Sequence, residues 1–243
     1  MQIQVAVAKI GKYASSESGD SLEMIERPHG GLSFVLADGQ RSGKSAKAIS
    51  HLVASKAIAL LAEGVRDGAA ARATHDYLYL HRRGQVSATL NIVSVDMETK
   101  TLVLSRNSHC PVIVQMAADQ QIRLEDPTPP IGVQRGTKPQ ISELPLQVGM
   151  VAVIYTDGVQ SAGEQRGQPL DVPLQVAKLY AEHWGKPHVA QAIADALLAE
   201  ALRRDEGRPR DDMSVLVVAV AAGNGDEARR LSVTFPVPPL FRP

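Results

Sequence analysis

Val86-Ser87-Ala88-Thr89-Leu90-Asn91-Ile92-Val93-Ser94-Val95, a polar turn over Asp96 to Thr99, then Thr101-Leu102-Val103-Leu104-Ser105 and Pro111-Val112-Ile113-Val114, is the stretch that decides the fold. It is rich in β-branched residues, and its polar gaps are far shorter than the dozen or so residues that a parallel crossover needs. Strands so closely spaced run antiparallel. Helices should therefore flank antiparallel sheets, in an α+β arrangement, instead of alternating with parallel strands.

Upstream of that stretch, Gly31 to Ala37 is a short apolar run that reads as a buried strand ending at Asp38. A polar loop follows over residues 39 to 43. Apolar residues then recur at helical spacing from Ser45 to about Leu61 (Ala48, Ile49, Leu52, Val53, Ile58), and a second helix is expected from about Ala70 to Arg82. Gln2 to Ala8 reads as an opening strand. Downstream, Asp126-Pro127-Thr128-Pro129-Pro130-Ile131-Gly132 lies in an irregular stretch, 126 to 139, expected to form a surface loop or a flap over a site. Met150 to Tyr155 reads as a strand, Val172 to Trp184 and Val189 to Arg204 as helices, and Ser214 to Val220 as the last strand. One domain over residues 1 to 221 is expected, with residues 222 to 243, carrying Pro236, Pro238, Pro239 and Pro243, as an extended tail. There is no internal repeat.

At 243 residues with 44% hydrophobic and 21% charged content, the chain can bury a substantial core. Lysine plus arginine and aspartate plus glutamate number 26 each, so no overall basic field points to nucleic acid or an anionic membrane. The single cysteine, Cys110, rules out an internal disulfide and reads as a small buried residue. No basic segment with an apolar signal core opens the sequence, and its uninterrupted apolar runs fall short of the roughly 20 residues that cross a bilayer. A cytoplasmic setting is expected.

Three times a β-type run abuts aspartate: Val35-Leu36-Ala37-Asp38-Gly39, Val153-Ile154-Tyr155-Thr156-Asp157-Gly158 and Asp211-Asp212-Met213-Ser214-Val215. Asp-Gly is common in turns, so any one of these alone says little. Carboxylates gathered at neighbouring strand ends, however, repel one another unless cations lie between them. Oxygen donors favour Mg²⁺ or Mn²⁺, and no histidine pair or cysteine cluster at ligand spacing suggests zinc. His75 and His81 are six residues apart, and His51, His183 and His188 fall where surface or packing roles are expected.

The order Ala37-Asp38-Gly39 before a helix, then Tyr155-Thr156-Asp157-Gly158, then Asp211-Asp212-Met213-Ser214 before a last strand resembles the metal-dependent protein phosphatases of the PP2C type. It is most similar to their bacterial branch, which includes SpoIIE, RsbU and RsbX. Ser18-Gly19-Asp20-Ser21 resembles that branch's early acidic motif, and Arg106-Asn107-Ser108-His109 its central Ala-Gly-His segment. The short lead without a sensor domain is most like RsbX. The resemblance implies an α-β-β-α sandwich of two antiparallel sheets flanked by helices. It also implies two divalent cations, Mn²⁺ or Mg²⁺, with Asp38 bridging them, Gly39 offering its carbonyl, Asp157 and Asp211 completing the shell of the second metal, and Asp20 contributing; Asp212 stands as the alternative to Asp211. Activated water would then hydrolyse phosphoserine or phosphothreonine on a regulatory partner such as an anti-sigma-factor antagonist or a stressosome component.

Two positions depart from the family pattern. Arg41 stands where the bacterial branch usually has glycine, and it reads either as a bidentate ligand for substrate phosphate or as a solvated loop charge. Gln40 replaces the histidine that eukaryotic members place near the leaving group. Two other functions compete. In Gly39-Gln40-Arg41-Ser42-Gly43-Lys44-Ser45 the chain resembles a P-loop, but only three residues separate the glycines and the four-residue position is Asp38, an acid that would repel phosphate. A catalytically inactive phosphoprotein-binding scaffold is the other, and the retained aspartates weigh against it.

Overall fold

The computed structural model describes all residues except Ser16, Ala118, Asn224, Asp226 and 237 to 243, so the last three prolines of the expected tail lie outside the described residues. The described residues form ten strands: β1 (Gln2–Ile10), β2 (Asp20–Glu26), β3 (Gly31–Gly39), β4 (Ala88–Asp96), β5 (Thr101–Asn107), β6 (Val112–Ala117), β7 (Gln120–Leu124), β8 (Gln140–Pro145), β9 (Val151–Tyr155) and β10 (Met213–Ala221). Five α-helices accompany them, α1 (Gly43–Ala62), α2 (Asp67–Arg82), α3 (Asp157–Gln160), α4 (Val172–His183) and α5 (Val189–Arg204), with one 3₁₀ turn over Glu164–Arg166.

The strands make two five-stranded sheets, ordered β1-β10-β9-β6-β7 and β2-β3-β4-β5-β8, with antiparallel pairing throughout. The α-β-β-α sandwich expected from the sequence is thus present. The parallel sheet on which a P-loop nucleotide site depends does not occur among the described residues.

Three apolar layers hold the sandwich together. Between the sheets, Phe34, Leu36, Val93, Leu102 and Leu104 meet Val114, Met150, Ile154, Leu216 and Val218. On the outer face of the first sheet, Val153, Tyr155, Val215 and Val217 pack under Val176 and Leu179 of α4 and Ile193 and Leu197 of α5. On the outer face of the second, Val35, Ala37, Leu90 and Ile92 pack under Ile49, Val53, Ala57 and Leu61 of α1 and Leu78 of α2. Central strands buried on both faces read as continuous apolar runs, which is why β3, β9 and β10 stood out in the sequence. By length and apolar content α1 also meets the measure of a spanning helix, but its buried stripe lies against β2, β3 and α2.

Three strands escaped the sequence reading. β2, β7 and β8 all lie at or next to a sheet edge or alternate with charged residues, as in Gln140-Ile141-Ser142-Glu143-Leu144-Pro145, so they carry little hydrophobic signal. The close succession of β5 and β6 is also deceptive. β5 pairs with β4 and β8 in one sheet, whereas β6 crosses to the other and pairs with β7 and β9.

The second helix begins at Asp67, earlier than expected, because that residue has a buried task. Its carboxylate accepts from the Arg27 guanidinium at 2.7 Å and from the Ser94 hydroxyl, while Arg27 also donates to the Val65 carbonyl at 2.9 Å. The turn between α1 and α2 is thereby fastened to the sheet.

The proline-rich loop is fastened as well, which argues against a free flap. Asn107 Nδ2 donates to the carbonyls of Pro129 and Lys138 at 3.1 and 3.2 Å, and Arg106 donates to the Asp126 carbonyl at 2.6 Å. Ile131 and Ala88 exchange both backbone hydrogen bonds, and the Gly132 N–H donates to buried His75 Nδ1 at 3.0 Å. These ties make the loop a wall beside the β3–β4 end of the sheet.

Residues 222 to 236 outside the masked positions form no regular element; Arg229 pairs with Glu26 at 2.7 Å, and Leu231, Val233 and Phe235 are exposed. Arg27→Ala is expected to lower stability by about 3 kcal/mol, because Asp67 is left buried without its cation. A urea unfolding midpoint close to that of the wild type would contradict this.

Candidate functional site

Strand pairing assembles the acidic residues. In the β2–β3 ladder Asp20 lies directly opposite Asp38. In the other sheet Tyr155 of β9 pairs with Val215 of β10, so Asp157, just past β9, and Asp211 and Asp212, just before β10, emerge side by side. The two sheets meet at Asp20, whose Oδ2 accepts from Ser214 Oγ at 2.5 Å and from Thr156 Oγ1 at 3.1 Å.

The glycines that follow two of these aspartates are explained by close approach. A Cβ on Gly39 would come within 2.2 Å of the Ala46 carbonyl oxygen in α1, and one on Gly158 within 2.2 Å of the Asp212 carbonyl oxygen. Neither has a left-handed backbone. Gly39 is therefore required by packing, with β3 pressed against a helix backbone.

The carboxylates act on one another's ionisation. Burial pushes Asp38 up to about 9, helped by the charges of Asp20, Asp157, Asp211 and Asp212. Burial likewise raises Asp20 to about 7, opposed by the Ser214 hydrogen bond and the Lys9 ammonium. Asp211 is raised by burial, against a hydrogen bond from the Asp212 N–H. Burial and the nearby Asp157 charge push the Cys110 thiol up to about 12, which favours the protonated form of this buried cysteine.

Asp211 and Asp212 are separated by what their carboxylates do. Asp212 is buried, and both its oxygens are engaged by backbone donors, Oδ1 by the Lys12 N–H at 2.9 Å and Oδ2 by the Gly19 N–H at 2.7 Å. It clamps the segment that leads into Asp20. Asp211 is less buried, and one of its oxygens accepts only the adjacent Asp212 N–H at 2.9 Å.

Arg41 is exposed, with φ of 83°, in the left-handed region that favours glycine. This explains the glycine usual at that position. Gln40 is engaged in closing the strand ends: its N–H donates to the Ser87 carbonyl and its Oε1 accepts from the Ser87 N–H, both at 3.0 Å.

Several contributors were missed. Thr156 and Ser214 lie inside the quoted motifs, yet their task of holding Asp20 depends on the two sheets meeting. Lys9 and Lys47 carried no sequence signal at all; both ammonium groups donate to the Asp20 carbonyl, at 2.6 and 2.9 Å.

The donors fit a hard divalent cation. They are all oxygens, and Asp20 Oδ1, fully buried, has no hydrogen-bond partner among the described residues. No three acidic, histidine or cysteine side chains among the described residues are already gathered at metal-binding spacing.

Known proteins share this fold. Residues 28 to 221 match the family described as Stage II sporulation protein E (SpoIIE). The chain is 22% identical to Stage II sporulation protein E of Bacillus subtilis (strain 168) over 242 residues, which is 99% of this chain but 28% of the relative's length. Among solved structures, the PP2C phosphatase domain of Bacillus subtilis SpoIIE with a fragment of its regulatory domain superposes with a TM-score of 0.77 at 22% identity, covering 90% of this chain and 63% of that one. RsbX in complex with magnesium superposes with a TM-score of 0.68 at 17% identity, covering 90% and 96%. The likeness to RsbX is thus the weaker of the two. At these identities the superpositions establish the PP2C fold.

Two measurements test the site's physics. The folded-state pKa values of Asp20 and Asp38 lie above the ordinary 3.8, so the folded chain holds extra protons. Their contribution to stability is full below about pH 4 and is lost as pH rises through about 7 and about 9. Metal-free protein is therefore expected to unfold at progressively lower urea between about pH 5 and pH 9, and added Mg²⁺ or Mn²⁺ to flatten that dependence. A midpoint that rises over this range would refute it. Arg41→Gly is expected to stabilise by about 1 kcal/mol by removing left-handed strain, seen as a melting temperature higher by about 2 to 4 °C.

Proposed function

Because the chain belongs to the SpoIIE family, we propose that it is a metal-dependent phosphatase acting on phosphoserine or phosphothreonine of a regulatory protein. The observation that carries this reading is the convergence of Asp20, Asp38, Asp157 and Asp211 at one end of the two sheets, with a buried Asp20 oxygen left unpartnered. The same convergence speaks against an inactive scaffold.

In this reading Asp38, Asp157 and Asp211 hold two cations, Mn²⁺ or Mg²⁺, with Asp20 and the Gly39 carbonyl supporting them. The cations, when bound, supply the Lewis acidity that makes water a nucleophile near neutral pH and offset the charge developing on the phosphoryl oxygens. The chain's own work is positioning. Thr156 and Ser214 fix the rotamer of Asp20, and Asp212 holds the loop that delivers it. Arg41, exposed next to Gln40 and Gly39, is kept as a contact for the substrate phosphate. Arg41→Gly should then raise KM about tenfold even as it stabilises the fold.

The partner class follows the neighbouring proteins. An RsbU and RsbW domain structure from Mycobacterium tuberculosis and a bacterial stressosome component share the fold. An anti-sigma-factor antagonist or a stressosome component, met in the cytoplasm, is the substrate we propose. The phosphatase domain comprises residues 1 to 221, with 222 to 243 as an appended tail.

Hydrolysis of a chromogenic phosphomonoester is expected to require Mn²⁺ or Mg²⁺ and to fall roughly a hundredfold or more in Asp38→Asn and in Asp157→Asn. Full activity in both variants would overturn the assignment. The two neighbouring aspartates should part company: Asp211→Asn weakens Mn²⁺ binding in a calorimetric titration, whereas Asp212→Ala chiefly lowers the melting temperature by stranding the N–H groups of Lys12 and Gly19.

A further inference from the structure

Beside the carboxylate site lies a cavity of about 250 Å³, lined by Ser161, Glu164, Gln165, Asp205, Arg210 and Asp211. Asp211 is the residue that this cavity shares with the acidic site. One buried carboxylate pins both walls: Asp205 Oδ1 accepts from the Gly163 N–H at 2.8 Å, and Oδ2 accepts from the Arg210 N–H at 3.3 Å. The cavity is therefore a fixed feature of the α3 turn and the loop leading into β10.

Arg210, an exposed residue, is the one cation among the residues that line this cavity. Other arginines nearby are committed: Arg203 and Arg204 pair with Glu200 at 2.7 and 2.8 Å, Arg166 pairs with Glu206 at 3.1 Å, and Arg208 lies over the Tyr13 ring at 5.5 Å. The Arg210 guanidinium, among the described residues, makes no hydrogen bond or ion pair, although Glu164 and Asp211 line the same cavity. A guanidinium presents a planar fork of donors that matches a two-oxygen anion. Here it stands one residue from a proposed cation ligand, as the one cation in a cavity that also carries the carboxylates of Glu164, Asp205 and Asp211, of which Asp205 is taken up by backbone donors and Asp211 is assigned to the metal.

We infer that Arg210 receives an oxyanion of the substrate in this cavity. The inference rests on the phosphatase reading. Its anion is either the phosphoryl group itself or the carboxylate of an acidic residue flanking the phosphorylated one, since both present the same paired oxygens. Arg210 is distinct from Arg41, which lies on the β3–α1 loop and does not line the cavity.

The test compares wild type, Arg210→Ala and Arg210→Lys with saturating Mn²⁺ on three probes. These are p-nitrophenyl phosphate and two phosphoserine peptides that differ only in glutamate or alanine beside the phosphoserine. Arg210→Ala is expected to raise KM at least tenfold on one or more probes, with Arg210→Lys recovering part of the loss. A loss on all three identifies the phosphoryl group as the anion, and a loss confined to the glutamate peptide identifies the flanking carboxylate. Unchanged KM on every probe overturns the inference, as does a loss that follows weakened Mn²⁺ binding in a parallel titration. Fluorescence anisotropy with the same peptides needs no turnover. If wild type hydrolysed none of the probes, the phosphatase reading would fail by itself; equal peptide binding by wild type and Arg210→Ala would then overturn the role of Arg210, and tighter binding by wild type would uphold it.

Discussion

The carboxylate of Asp20 is the joint on which the site depends. It is fully buried, sits across the ladder from Asp38 in one sheet, and accepts from Thr156 and Ser214 of the other. A single side chain thus sets how the two sheets meet at the end where the acidic residues gather. The arrangement is electrostatically unfavourable in itself, since burial and four neighbouring carboxylates all act against an ionised Asp38. The fold offsets part of this locally, through the Lys9 and Lys47 ammonium groups on the Asp20 carbonyl and the backbone donors on Asp212. Bound cations would supply the rest.

A second constraint is backbone proximity. Gly39 lets β3 run against the Ala46 carbonyl of α1, and Gly158 lets α3 lie against the Asp212 carbonyl. The same device occurs once in each sheet, and each time it brings an aspartate to the shared end of the sandwich. A methyl group at either place would push apart elements that must touch for the carboxylates to converge. These two Asp-Gly pairs are therefore packing features before they are turns. Arg41 shows the opposite case, a side chain retained where the backbone itself favours glycine.

The interior strands were legible because burial on both faces leaves an unbroken apolar run, as in Val151 to Tyr155 and Val215 to Val220. The helices over Val172 to His183 and Val189 to Arg204 were legible from their period. The edge strand β8 was not, because its exposed face carries polar residues and its pairing partner β5 is remote in the chain. Residues 126 to 139 were legible as an irregular surface loop, because glycine and proline mark such a backbone, but not as a fastened one: the Arg106 and Asn107 donors and the His75 acceptor that hold it come from other segments.

By itself the sequence determined the antiparallel character of the fold, the aspartates at the strand ends and the family to which the chain belongs, because these rest on local pattern and on motif order. Only the tertiary structure decided which sheet each strand joins, that both Asp212 oxygens are taken by remote backbone donors while Asp211 accepts only its neighbour's N–H, and that Arg210 shares a cavity with the acidic site. Each of those is a contact between residues far apart in the chain or a difference between adjacent ones of the same type. Composition and periodicity carry no information about either, since the partner that distinguishes them is supplied by folding.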